Sequence, residues 1–176
     1  MMIKSNNFKL DENKYEIARL DERQLNNIKF DSEDEDLNDF LFNESLDYCR
    51  ENLAIVYLVY QGNKVLGYFS LSSDSVKINE KLDIKLKYYP SLKIGRLAVD
   101  KEFKRKGIGT WIINWIIGYA LKKRTGHGIR YLSVDAYNQS NIIKFYEENK
   151  FSIYNQKKNI KKINIPMYLD LNEKYS

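Results

Sequence analysis

The stretch "LAVDKEFKRKGIGTW" sets three bases, Lys104, Arg105 and Lys106, ahead of two glycines, Gly107 and Gly109, that flank Ile108. An apolar strand pattern precedes them, and the apolar run "TWIINWIIGYAL" follows. Glycine in a helix interior costs roughly 1 kcal/mol relative to alanine. Two glycines at a helix start therefore imply that the backbone itself is used. The first turn of a helix leaves several N–H groups without intrahelical acceptors, and the helix dipole adds partial positive charge. With no Cβ at Gly107 and Gly109, an anion can approach those amides, and the three bases add charge. A pyrophosphate suits such a cradle. Two nucleotide motifs are excluded by spacing: no GxxxxGK[ST] run exists, and Ile112 stands where a Rossmann fingerprint needs its third glycine. A tight strand-to-helix turn on a basic surface accounts for the same residues without a ligand.

Other chemistries are narrowed by composition. One cysteine, Cys49, excludes an internal disulfide and a cysteine-rich metal site. One histidine, His127, argues against a histidine-clustered metal site and against a Ser-His-Asp triad. The expectation is a metal-free, cytoplasmic protein. Cys49 lies on an amphipathic helical pattern and reads as a small core residue; His127 sits between glycines in a loop. The net charge is +5, from 29 Lys+Arg against 24 Asp+Glu, an excess that permits phosphate contact without requiring it. With 176 residues and 43% apolar content, residues 1–176 fit one domain with a real core. No apolar run reaches the ~18 residues of a membrane span, and the N-terminus has no signal-peptide centre.

The elements that must position the glycine turn are legible in the pattern. "YEIARL" alternates as a strand, and "LDERQLNNIKF" reads as a short helix with Asp21 and Gln24 at capping-box spacing. "SEDEDLNDFLFNESLDYC" reads as a longer helix, with Ser32 and Glu35 at the same spacing and Leu37, Phe40, Leu41 and Tyr48 on one stripe. Its acidic start suits the positive end of a helix. Residues 54–72 form a hairpin pattern around Gly62-Asn63, and "LKIGRLAVD" is a strand apolar on both faces. The helix "TWIINWIIGYALKKR" ends in Lys122, Lys123 and Arg124, with Gly126 able to close it. "IRYLSVDAY" is a strand, "SNIIKFYEEN" a helix capped by Asn138 or Ser140, and "FSIYNQ" and "INIPMYLDL" are closing strands. This order implies an α/β fold, a mixed sheet with helices on both faces.

"LAVDKEFKRKGIGTWII" resembles the acetyl-CoA signature of the GNAT superfamily of N-acetyltransferases: an apolar strand, then Q/R-x-x-G-x-G/A at a helix start. "YLSVDAYNQSNIIKFYEENKF" resembles that family's next strand, an asparagine, and a tyrosine-bearing helix. The resemblance covers nearly the whole chain. Lys104 stands at the position usually held by Gln or Arg, and Lys150 where a glycine is common. A narrower resemblance, carried by "IKFDSEDEDLNDFLFNESL", "VYQGNKVLGYFSLSS", "IGRLAVDKEFKRKGIG" and "PMYLDL", is to the GNAT toxins of bacterial toxin–antitoxin pairs, which acetylate the free amine of aminoacyl-tRNA. Ser32-Glu33 stands where that subfamily usually has Cys-Gly.

The resemblance implies direct transfer of an acetyl group from acetyl-CoA to an amine. The acceptor would be an aminoacyl-tRNA, a protein amine or a small amine; a non-catalytic coenzyme A-binding module is the alternative. It implies that Leu97, Ala98 and Val99 offer backbone groups to the pantetheine arm and the thioester carbonyl. Lys104, Arg105, Lys106, Gly107, Ile108, Gly109 and Thr110 would hold the pyrophosphate. Tyr146 is the matching tyrosine, able to reprotonate the departing thiolate, with Tyr137 its competitor. Asn138 would bond the pantetheine arm or cap the helix. Asp100, Glu102 or water would serve as base. An antitoxin partner and a homodimer are implied by the same resemblance. With charged tRNA as acceptor, Lys157, Lys158, Lys161 and Lys162, which flank the last hairpin, would meet its phosphates; a solvated turn accounts for the same lysines without tRNA.

Overall fold

The computed structural model describes residues 15–78, 86–154 and 162–175. Lys157, Lys158 and Lys161 lie outside the described residues. Its strands are β1 (Glu16–Arg19), β2 (Ile55–Gln61), β3 (Lys64–Val76), β4 (Tyr89–Val99), β5 (Tyr131–Tyr137), β6 (Ser152–Ile153) and β7 (Asn164–Asp170). They form one sheet in the order β1-β2-β3-β4-β5-β7-β6. All neighbours are antiparallel except β4 and β5, which are parallel. A parallel pair needs a long crossover, and α4 (Ile108–Lys123) supplies it.

Helices cover both faces. On one face, α4 and α5 (Ser140–Glu148) pack with Val59, Phe69, Ile94, Leu132 and Val134. On the other, α1 (Glu22–Leu25), α2 (Glu35–Asp39) and α3 (Ser45–Arg50) lie over Val56, Leu58, Val65 and Tyr68. The alternation along β2 follows from strand geometry, in which successive side chains point to opposite faces. A last helix, α6 (Leu171–Tyr175), follows β7. α4 is held from two sides. Ile108, Ile112, Ile113, Ile116 and Ile117 are each 2% exposed or less, and each such burial stabilises by roughly 1.5–3 kcal/mol. A second stripe, Trp111, Trp115 and Tyr119, covers its flank. Trp115 stacks on Tyr119 at 5.3 Å and leans on Phe69 at 5.5 Å. The helix start is thereby fixed at the end of β4.

The hairpin closes at Gly62-Asn63 as the pattern predicts, with Gln61 opposite Lys64. The Asp21–Gln24 capping box also forms, with bonds of 2.7 and 2.8 Å. The second expected box does not. The chain turns left-handed at Glu33 (φ 61), so Ser32 is turned out of the cap position. Ser32 Oγ bonds Asn38 Oδ1 at 2.8 Å instead, and Asp34 caps α2 through the Leu37 N–H. A π-helical turn, Phe40–Glu44, separates α2 from α3. Its extra residue shifts the stripe: Phe40, Leu41 and Ser45 are buried, whereas Tyr48 is 37% exposed. Neither Asn138 nor Ser140 caps α5. The cap is Gln139, whose carbonyl accepts from Ile142 and Ile143.

Candidate active site

β4 and β5 pair only from Ser91–Tyr131 to Ile94–Val134. The pairing stops where β4 carries one residue too many. Ser70 opposes Arg96 and Leu71 opposes Ile94, so Gly95 is a bulge. Bulges bend a strand and interrupt its ladder. Beyond Ile94 the two strands part, and the β5-facing edge of β4 from Gly95 to Val99 has no strand partner among the described residues. A cleft of about 630 Å³ occupies the gap, lined by Gly95, Arg96, Leu97, Ala136, Tyr137 and Tyr146 among others.

The α4 start lies at the end of this open edge. Gly107 is the N-cap residue, at φ 79, and no side chain caps the helix. Positive φ is a conformation that glycine adopts without steric penalty, and a Cβ at Gly107 would meet nothing within 4 Å. The first-turn amides therefore face an open approach. Arg105 also turns left-handed, at φ 60. Gly109 has a packing reason besides the one its spacing suggested. A Cβ there would lie 3.1 Å from two Phe145 ring carbons. The missing side chain lets α4 and α5 close on each other, and Asn149 reinforces the contact by donating to Thr110 Oγ1 at 3.4 Å. Ile108 is buried beneath the turn.

Two of the three bases fold back. Lys104 pairs with Glu33 at 3.0 Å, and Lys106 donates to the Glu102 carbonyl at 2.8 Å. Arg105 makes no ion pair among the described residues. Leu97 lines the cleft, Ala98 is buried on the opposite face, and Val99 packs beside Gly109. Asn138 neither lines the cleft nor caps a helix. It donates to the Lys162 carbonyl at 2.9 Å and ties β5 to the start of β7. Asp100 and Glu102 lie away from the cleft. Asp100 is buried and accepts from the Asp31 and Glu102 amides, both at 2.9 Å, so it holds the turn after β4. Cys49 packs in the cluster on the α3 face.

Tyr146 and Tyr137 both line the cleft but differ in commitment. Tyr146 is 7% exposed, edge-to-face with Phe145 and Phe151, and its hydroxyl has no hydrogen-bond partner among the described residues. Burial alone pushes its phenol well above the ordinary range. Tyr137 donates to Asp36 Oδ2 at 2.8 Å. Burial first, and then that carboxylate, push its phenol up to about 12. Sequence reasoning missed Asp36 and Arg96. Arg96 Nη2 lies 3.9 Å from Asp36 Oδ2, its guanidinium sits 5.1 Å over the Phe40 ring, and its Nε is buried without a partner. A charged residue inside the apolar run "KIGRLAV" was the available signal.

The buried phenols set the alkaline limit of the fold. Burial also raises Tyr68 strongly. In the unfolded chain both Tyr68 and Tyr146 ionise near pH 10; in the folded chain they stay neutral. Their contribution is complete below pH 10 and is lost as pH rises from there towards the folded values, at about 1.4 kcal/mol per pH unit for each. Unfolding free energies from urea titrations should hold from pH 9 to about 10 and fall with that slope from there to about 11.5, and Tyr146→Phe should remove one phenol's share.

The site is thus a bulged, parted strand pair that opens beside a basic helix start, with the Tyr146 phenol, unpartnered among the described residues, in its wall. The chain belongs to the acetyltransferase (GNAT) family, whose sequence model matches residues 15–151. It is an acetyl-CoA-dependent acetyltransferase. No curated protein matches it in sequence. Among solved structures, it is similar to AtaT complexed with acetyl-methionyl-tRNAfMet, at 21% identity and TM-score 0.74, over 90% of this chain and 96% of that one. It is similar to a tyrosine-to-phenylalanine mutant of the AtaT toxin bound to the C-terminus of the antitoxin AtaR and acetyl-CoA, at 22% identity and TM-score 0.70, over 90% and 94%. A mutant of KacT, again tyrosine to phenylalanine, aligns at 19% identity and TM-score 0.76, over 91% and 96%. No helix among the described residues is long and apolar enough to cross a membrane.

Proposed function

We propose that this enzyme acetylates the α-amine of an aminoacyl-tRNA, and that an antitoxin protein holds it in check. The observation that carries the acceptor reading is that every carboxylate lining the cleft, among the described residues, is engaged. Three carboxylates line the cleft, and each is already engaged: Asp34 by the Leu37 amide, Asp36 by Tyr137, and Asp135 by Lys93 at 2.7 Å. An α-amine titrates near 7.7–8.0, a lysine amine near 10.4. Near neutral pH an appreciable fraction of an α-amine is already a free nucleophile, so water suffices to take its proton. A lysine acceptor, mostly protonated near neutral pH, has more need of a base, and the cleft holds no unengaged carboxylate among the described residues. Similarity in fold to AtaT, over nearly the whole chain, supports a tRNA-linked amine over a free one.

The residues present fit acetyl-CoA: first-turn amides open at Gly107 for the pyrophosphate, and the free edge of β4 for the pantetheine arm. When bound, acetyl-CoA supplies the acetyl group as a thioester. Arg105 and the α4 amides neutralise phosphate charge, and backbone groups from Gly95 to Val99 orient the arm. The amine nitrogen bonds to the acetyl carbon, the carbon–sulfur bond breaks, and Tyr146 Oη gives its proton to the sulfur. Tyr137, engaged with Asp36, is less free to do so.

The test is acetyl transfer to charged tRNA across a salt series. Each phosphate contact on single-stranded RNA gives a log–log slope of about −0.7. Apparent affinity should therefore fall steeply with salt. No transfer, or transfer that ignores salt, would leave a peptide or small amine as the better acceptor.

A further inference from the structure

Two large apolar side chains stand exposed on the wall of the cleft: Tyr48 at 37% and Leu53 at 60%. The local fold holds them there. The π-helical turn displaces Tyr48 from the core stripe, and such turns concentrate at functional sites. Tyr48 then packs edge-to-face on buried Phe40 at 5.2 Å. The Leu53 amide donates to the Tyr48 carbonyl at 2.9 Å, which sets Leu53 beside it. The Arg96 guanidinium lies over the same Phe40 ring, its Nε without a partner among the described residues, and Asp34 and Asp36 add carboxylates to the cleft lining.

We infer that the aminoacyl group taken by this enzyme has an apolar side chain, seated against Tyr48 and Leu53. This rests on the aminoacyl-tRNA reading above. A charged side chain of either sign would lose water to lie on Tyr48 and Leu53, a cost that an apolar wall does not return. Glycine leaves Tyr48 and Leu53 wet. A medium or large apolar side chain covers them. A pocket of this kind separates ligands differing by a methylene by about 10- to 200-fold, so several missing carbons give a clear preference.

One tRNA body charged in turn with methionine, isoleucine, glycine, aspartate or lysine isolates the side chain from the tRNA. Methionine and isoleucine should be acetylated at least about tenfold faster than glycine, and about 10²-fold faster than aspartate or lysine. Leu53→Ser and Tyr48→Ser, both at exposed positions, should bring methionine down towards glycine while acetyl-CoA affinity, read by calorimetry, holds. Equal rates across the panel would overturn the apolar seat and leave the aminoacyl-tRNA reading standing. So would a preference that survives both substitutions. Transfer to none of the five would overturn both.

Discussion

Tyr146→Phe should lower acetyl transfer by about 10²-fold or more, the usual scale of general acid catalysis, with acetyl-CoA affinity unchanged. The structure makes this substitution unusually clean. The ring packs between Phe145 at 5.1 Å and Phe151 at 5.4 Å, and phenylalanine keeps both contacts. The hydroxyl has no partner among the described residues, so its removal breaks no bond within the protein. Stability near neutral pH should therefore hold while turnover collapses. Burial keeps the phenol protonated far into the alkaline range, so the acid stays loaded wherever the protein is folded. Tyr137→Phe is the contrast: it frees Asp36 from its 2.8 Å bond and should disturb acceptor KM more than kcat. Thiol release at saturating acetyl-CoA measures kcat for both. Wild-type turnover in Tyr146→Phe would move the acid role to Tyr137 or to water.

How far the site could be read before the fold was known depended on sequence distance. The α4 start is a local feature, and its glycines, bases and following apolar run were legible together. Even there, the pattern could not show that Gly109 answers to Phe145, which comes from another helix. The Ser32 and Glu35 spacing was a sound capping signal, but a left-handed turn at Glu33 and the Asn38 side chain outcompeted it. Periodicity ran through the α2–α3 region and missed the π-helical turn, because one inserted residue leaves composition unchanged while rotating everything after it. That error hid Tyr48 in an expected core stripe. The Asp36–Tyr137 end of the cleft was the least legible. It depends on Asp36 meeting Tyr137 across 101 positions, and on a bulge at Gly95 that ends the β4–β5 ladder. Strand register and long-range pairing leave no periodic trace.

Gly107 offers the sharpest test of the pyrophosphate site, because position 107 can be varied in charge at constant shape. Asparagine and aspartate both tolerate the left-handed region better than other residues with a Cβ, and a Cβ there would meet nothing within 4 Å. Gly107→Asn and Gly107→Asp should therefore fold alike, with similar small losses in melting temperature. They differ by one negative charge beside the uncapped α4 amides. At about 5 Å and an effective dielectric near 20, one unit charge repels another by about 3 kcal/mol. Since 1.4 kcal/mol is tenfold in affinity, Gly107→Asp should weaken acetyl-CoA by more than about 10²-fold. Gly107→Asn should lose less than about tenfold, from strain and crowding alone. Calorimetric titration of the two folded variants reads the difference directly, and the gap should narrow as salt is added, since the charge sits at the surface. Equal affinities for the pair would place the pyrophosphate away from the α4 start, and the bases at 104–106 would then be only a solvated turn.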